Sequence, residues 1–196
     1  MELKQSRTFQ NLVNSFAGEC QAHARYEFLV WEAKKMQLYE IGCALEEIAK
    51  NELQHAKRFY EEIRGADPSH PEDLKVDAGY PFKETNGLEA ALCAAADNEY
   101  NESVKIYAQY AKQAHDEGFD PQAALFELIA SVEHCHMMQL NNIREQLRNG
   151  TLYRRGESVK WKCSQCGHEQ TTDEAPQKCP LCGNVIGYVK LILPDN

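Results

Sequence analysis

No stretch of this chain is apolar for long enough to cross a bilayer. The longest run, Ala90 to Ala96, falls far short of the roughly 20 residues that a spanning helix needs. No apolar stretch follows Met1-Glu2-Leu3-Lys4-Gln5, so no secretory leader is expected and the expected location is the cytoplasm. Basic clusters are missing too. A net charge of -9 with no concentration of Lys and Arg excludes the usual basis of nucleic-acid affinity. Neither a membrane nor a nucleic acid is therefore an expected partner. Eight cysteines could suggest disulfides, but four of them form two Cys-x-x-Cys pairs, which in a reducing compartment points to metal. The remainder is ordinary for a globular protein, at 43% hydrophobic and 26% charged, and 196 residues suffice for one sizeable domain and one small one.

Apolar residues spaced by steps of three and four predict four long helices, over about 4–36, 38–65, 87–117 and 120–149. Gly65 to Gly87, with three prolines and three glycines, reads as the long connection between two helical hairpins. Gly118 and Pro121 mark a corner with Asp120 as the expected N-cap, and Asn149-Gly150 ends the fourth helix. From Trp161 the pattern changes to short β-type runs and glycine turns around cysteines. The expected division is a bundle over 1–150, a polar linker over 151–160 and a small metal domain over 161–196.

Charges lie inside the helical seams. Glu52-Leu-Gln-His55 follows Glu19 by roughly thirty residues, and Glu133-His-Cys-His136 follows Glu99 by a similar interval. Glu102 sits one turn beyond Glu99. An unpaired buried carboxylate costs several kcal/mol, and no Lys or Arg falls on these seams to offset it. Residues three apart share a helix face, so each Glu-x-x-His can offer an oxygen and a nitrogen to neighbouring cations. Two divalent metals would nearly balance five glutamates. Mixed carboxylate and imidazole ligands suit iron or manganese better than calcium or a closed zinc site, and a doubled Glu…Glu-x-x-His pattern fits a two-metal site in a four-helix bundle.

The second constellation is Cys163-Ser-Gln-Cys166-Gly and Cys179-Pro-Leu-Cys182-Gly. Glycine after each second cysteine permits a tight turn that aims backbone N–H groups at sulfur. Four thiolates at this spacing hold one tetrahedral ion. Spacing alone leaves iron and zinc both open.

The segment Phe16-Ala-Gly-Glu-Cys-Gln-Ala-His-Ala-Arg-Tyr26, the two Glu-x-x-His helices, Glu99-x-x-Glu102 and the four-cysteine module together resemble the rubrerythrins, over nearly the whole chain. The resemblance implies a mainly α protein: a ferritin-like four-helix bundle with a small C-terminal rubredoxin-like domain. It implies three Fe per chain, two in a non-haem di-iron site and one on Cys163, Cys166, Cys179 and Cys182, with zinc as a possible substitute. It assigns Glu19, Glu52, Glu99, Glu102, Glu133 and His136 to the diferric site, with His55 exchanging with Glu102 on one iron when the site is reduced. Tyr26 and Tyr107 resemble tyrosines that stand near the ligand carboxylates. His168 departs from the usual aromatic after the first rubredoxin knuckle, without removing a ligand.

The activity implied is reduction of hydrogen peroxide to water, with electrons from an NAD(P)H-linked donor, a rubredoxin or its reductase, passing through the four-cysteine iron. A homodimer or larger homo-oligomer is expected. A ferroxidase or iron-handling protein, an oxygen reductase and a non-catalytic zinc-ribbon protein are the competing readings. Among weaker candidates, His23 reads as a buried histidine beside the ligands. Cys20, Cys43, Cys93 and Cys135 read as packed thiols, and His70, His115 and His134 as loop or surface residues.

Overall fold

A computed structural model describes residues 1–68, 73–77, 79–81 and 86–192. Helix α1 spans Arg7–Lys35 and α2 Tyr39–Ala66. The third rod comprises α3 (Leu88–Asn101), a π-helical turn (Glu102–Ile106) and α4 (Tyr107–Asp116), and α5 spans Asp120–Asn149. No described helix is long and apolar enough to cross a membrane.

The ends have local causes. Helix α1 starts at Arg7 rather than residue 4 because the Ser6 hydroxyl accepts from Phe9 N–H at 3.1 Å and closes off the short turn Leu3–Gln5. Glu117, at the far corner, accepts from the N–H groups of Arg7 and Thr8 at 3.2 and 2.9 Å, supplying acceptors to donors that the helix start leaves unpaired. Asp120 is not the N-cap of α5. Phe119 holds that place, and Asp120 is the first helical residue, where its charge still favours the helix N-terminus. Between α1 and α2, Gln37 adopts φ 59°, and Leu38 N–H donates to Ala33 C=O at 2.9 Å, which lets the chain reverse within three residues. Part of the long connection is anchored along α1: Asp77 N–H donates to Asn14 Oδ1 and the Gln10 amide donates to Lys75 C=O. His70, in that connection, lies outside the described residues.

The seams pack into two apolar clusters. One holds Phe9, Leu12, Phe59, Tyr107 and Phe126; the other holds Tyr26, Val30, Leu45, Leu92 and Leu140. Along each helix the seam glutamates and histidines fall between the residues of the two clusters, so a polar layer sits between apolar plugs.

The C-terminal part is a three-stranded antiparallel sheet in the order β2-β1-β3, from β1 (Arg154–Cys163), β2 (Glu169–Glu174) and β3 (Val189–Leu191). Trp161 fills its centre at 1% exposure and donates its indole N–H to Thr172 C=O. Much of the polar stretch 151–160 is thus strand, pairing Arg154 with Glu174 and Val159 with Thr172. The sheet module rests on the α1–α2 turn. Tyr188 stacks on Tyr39 with centroids 4.0 Å apart, and Lys190 reaches Glu40 at 3.9 Å.

Candidate metal centres

Helix α1 contributes Glu19, α2 Glu52 and His55, α3 Glu99, and α5 Glu133 and His136, all buried. They form two groups whose ligand atoms lie within 4.8 Å of one another: Glu19, Glu52, His55 and Glu133, and Glu52, Glu99, Glu133 and His136. Glu52 and Glu133 belong to both. The two halves match in detail. His55 Nδ1 lies 2.8 Å from Glu133 Oε1, 3.1 Å from Glu52 Oε2 and 3.8 Å from Glu19 Oε2. His136 Nδ1 lies 2.8 Å from Glu133 Oε2, 3.1 Å from Glu52 Oε1 and 3.8 Å from Glu99 Oε2. Each shared carboxylate therefore turns one oxygen to each half, the arrangement expected of residues that bridge two cations.

Whether the residues suit metal can be judged from their oxygens. Glu19 Oε2, Glu52 Oε1, Glu99 Oε2 and Glu133 Oε1 are fully buried with no directed hydrogen-bond donor among the described residues. Two of these stand within 3.1 Å of an imidazole nitrogen, but at an angle poor for hydrogen bonding. Buried carboxylate oxygens without donors are costly, and cations at the two centres would satisfy all four. Without metal, protons carry the positive charge. Burial disfavours charged imidazoles, but Glu133, Glu19 and Glu52 outweigh it at His55, and Glu133, Glu52 and Glu99 at His136, pushing both up to about 12. Burial raises Glu52, yet both imidazoles override it and hold it at about 2. Burial and the surrounding carboxylates push Glu99 up to about 8 and raise Glu19 well above the ordinary range.

Glu102 stands outside both groups. It opens the π turn and is only partly buried. Loss of water, then the charges of Glu99, Glu133 and Glu52, raise its pKa, and Arg25 opposes them. Tyr26 donates its hydroxyl to Glu99, and Tyr107 donates to Glu19. His23 is no part of either group. Its Nδ1 lies 2.7 Å from Ala49 C=O, which only accepts, so the ring donates there and ties α1 to α2. Cys20, Cys43 and Cys135 are exposed and Cys93 partly so, contrary to packed thiols. Cys20 and Cys135 sit next to ligand positions, and one residue around a helix turns a side chain away from the seam. His115 and His134 are exposed. Asn51 was not visible as a site residue; its amide lies 3.3 Å from His136 Nε2.

The four cysteine sulfurs also converge within 4.8 Å, with Cys163 and Cys182 3.8 Å apart and Cys166 and Cys179 3.5 Å apart. The two knuckles are near copies. Gly167 N–H donates to Cys163 C=O and Gly183 N–H to Cys179 C=O, both at 2.9 Å, and both glycines take positive φ, at 76° and 75°. The backbone N–H of Asn184 holds Cys182 down at about 6, and those of Cys182 and Leu181 lower Cys179. The His168 N–H acts likewise on Cys166, but burial and the other thiols override it and push that thiol up to about 12. Four sulfurs that converge this closely, on two matched knuckles whose backbone N–H groups lower Cys179 and Cys182, form a candidate cation site of the rubredoxin-like kind.

Residues 10–143 match the sequence profile of rubrerythrin, and residues 161–185 that of the rubrerythrin rubredoxin-like domain. The chain is 37% identical over 189 residues to a rubrerythrin from Clostridium perfringens, covering 96% of each. It is 32% identical over 190 residues to a rubrerythrin from Nitratidesulfovibrio vulgaris, covering 97% of this chain and 96% of that one. The structure of nigerythrin in a partially reduced state superposes with a TM-score of 0.62 at 22% identity, over 96% of this chain and 90% of the other, which shows a shared fold. By these matches, and with a candidate di-iron carboxylate cluster and a four-cysteine site on one ferritin-like chain, the protein belongs to the rubrerythrin family.

Proposed function

We propose that this di-iron oxidoreductase is a hydrogen peroxide reductase of the cytoplasm, organised as a bundle over 1–150 and an electron-entry domain over 161–196, with most of the expected connection over 151–160 taken up by the first strand of that domain's sheet. The observation that carries the reading is the sharing of Glu52 and Glu133 between two matched ligand groups, on a chain that also holds four convergent thiols. Glu19, Glu52, Glu99, Glu133, His55 and His136 would hold two irons, and Cys163, Cys166, Cys179 and Cys182 a third. Bound iron supplies Lewis acidity and electrons for cleaving the O–O bond of peroxide.

The protein's own residues set the conditions. The apolar clusters exclude water from both ends of the layer. Tyr26 and Tyr107 keep their protons, because burial and then the neighbouring carboxylates raise both phenols well above their ordinary range. They therefore donate to Glu99 and Glu19 and fix those carboxylates. Having His55 inside the ligand group and Glu102 outside it matches the set that the family resemblance assigns to the reduced enzyme. The π turn gives Glu102 a backbone different from its helical neighbours, as π turns at functional sites commonly do. A groove of about 570 Å³ along α1 and α3 has Arg25, Tyr26, Asn98 and Asn101 in its wall, and none of the candidate metal ligands lines it.

Electrons would come from an NAD(P)H-linked donor such as a rubredoxin or its reductase, and the working form would be a homodimer or larger. The test is to load anaerobically purified protein with iron, confirm three Fe per chain, and compare donor-coupled rates. Peroxide should be consumed far faster than oxygen. Faster turnover of oxygen would replace this reading with an oxygen reductase, and uptake of many more irons would replace it with storage.

A further inference from the structure

Both imidazoles present Nδ1 to the carboxylate layer at matched distances, but their outer nitrogens differ. His136 Nε2 lies 3.3 Å from the side-chain amide of Asn51. His55 Nε2 has no protein partner among the described residues, and this ring is the more exposed, at 9% against 3%. We propose that Asn51 is a positioning residue that tethers His136 and so confines ligand exchange to the metal beside His55. The inference rests on the di-iron reading given above.

The chemistry follows from the two ring nitrogens. An Nδ1 that faces a cation must offer its lone pair, so Nε2 carries the hydrogen and needs an acceptor. Asn51 has one: a half-turn of its amide places the oxygen where Nδ2 now stands, with no change in shape. An acceptor on the outer nitrogen fixes the plane and tautomer of a ligating imidazole. Asn51 also precedes Glu52 in α2, so the tether ties a shared carboxylate to the α5 imidazole at the other centre. His55, one turn further along α2, can swing without breaking a hydrogen bond outside the layer. The two halves are alike within the layer and unlike just outside it, and that asymmetry selects which histidine moves.

Anaerobic titration of the metal-free full chain with Co²⁺ tests this. Cobalt in the carboxylate layer absorbs weakly in the visible, while the four-cysteine site gives intense sulfur-to-metal bands, so the sites are read separately. The wild type should take two Co²⁺ in the layer. Asn51→Leu keeps the volume and removes the acceptor, and should weaken one of the two by roughly tenfold to a hundredfold, leaving the other and the sulfur bands unchanged. Asn51→Asp restores an acceptor and should bind both ions at least as tightly as the wild type. Wild-type affinity for both ions in Asn51→Leu overturns the proposal. So does equal weakening of both ions, and so does an Asn51→Asp variant as weak as Asn51→Leu, which would make the residue a packing element only. A wild-type chain that takes no cobalt in the layer overturns the di-iron reading, and the tether with it, before any variant is compared.

Discussion

The hydroxyl of Tyr107 is hydrogen-bonded to Glu19 across the boundary between an apolar cluster and the carboxylate layer. Tyr26 makes the counterpart bond to Glu99 from the opposite cluster. Each plug thus supplies the layer with one hydroxyl donor through an otherwise apolar wall. Tyr107→Phe keeps the ring that packs on Phe59 and Phe126 but leaves a buried Glu19 oxygen without its donor. The expected cost in the metal-free protein is about 1–3 kcal/mol, read from urea denaturation, with helicity unchanged. Stability equal to that of the wild type would show that the bond contributes nothing to the fold.

Glu102→Ala removes a carboxylate that neither ligand group requires. Both groups stay complete, so iron uptake should match the wild type. Peroxide turnover should fall by roughly tenfold to a hundredfold, the scale typical for loss of a group that tunes a metal site. Unchanged turnover would count strongly against an exchange between Glu102 and His55.

Removing metal should reverse the usual benefit of mildly alkaline conditions. His55 and His136 are raised from 6.5 to about 12 in the fold, so the native state binds more protons than the unfolded chain across that interval. Their contribution is complete below about pH 6.5 and decays as pH rises. Glu99, raised from 4.5 to about 8, acts in the same direction. Glu52, lowered from 4.5 to about 2, acts the other way and loses its contribution as pH falls through that range. The helical melting temperature of the metal-free chain should therefore be greatest near pH 4.5, fall slowly to about pH 6.5 as Glu99 loses its contribution, and fall more steeply through pH 8 as the imidazoles join it. Metal takes the place of those protons, so loading at pH 7 should release protons into an unbuffered solution. A metal-free Tm that rises from pH 6 to 8 would contradict this electrostatic picture.

The site was largely legible because buried charge is rare. Glu19, Glu52, Glu99 and Glu133 interrupt apolar seams at matched spacing, which marks them together as a candidate cation site. The matched doubling also indicated two centres. What stayed hidden depends on geometry that no local pattern encodes. Nothing in Glu-Ser-Val-Lys-Ile, residues 102 to 106, marks a π turn, since it contains neither glycine nor proline. Asn51 looked like any polar residue beside a seam until α5 was placed opposite it. Asp120 was misplaced by one residue because Asp at the cap and Asp in the first turn are both favourable near the helix N-terminus.

The seat of the four-cysteine module was equally unreadable, and it rests on one glycine. A β-carbon on Gly187 would stand 1.6 Å from the Gln37 carbonyl oxygen and 3.2 Å from the Tyr39 ring. Gly187→Ala should push the module off the α1–α2 turn and break the stack of Tyr188 on Tyr39, a pair contributing about 1 kcal/mol. Small-angle scattering should show a larger radius of gyration, and protease should cut more readily near Thr151. The thiolate-iron spectrum should persist, because all four cysteines lie outside the contact. An unchanged envelope would mean that the module is not held at this seat.

The most direct measurement mixes fully reduced full-length protein with hydrogen peroxide under anaerobic conditions and follows the visible absorption of the four-cysteine iron. The expected result is rapid appearance of the ferric thiolate chromophore in the wild type, and its near-absence in a Glu52→Ala, Glu133→Ala double variant that lacks both shared carboxylates. Oxidation of the thiolate iron at the same rate in both proteins would contradict the account, because peroxide would then be reacting without the carboxylate layer.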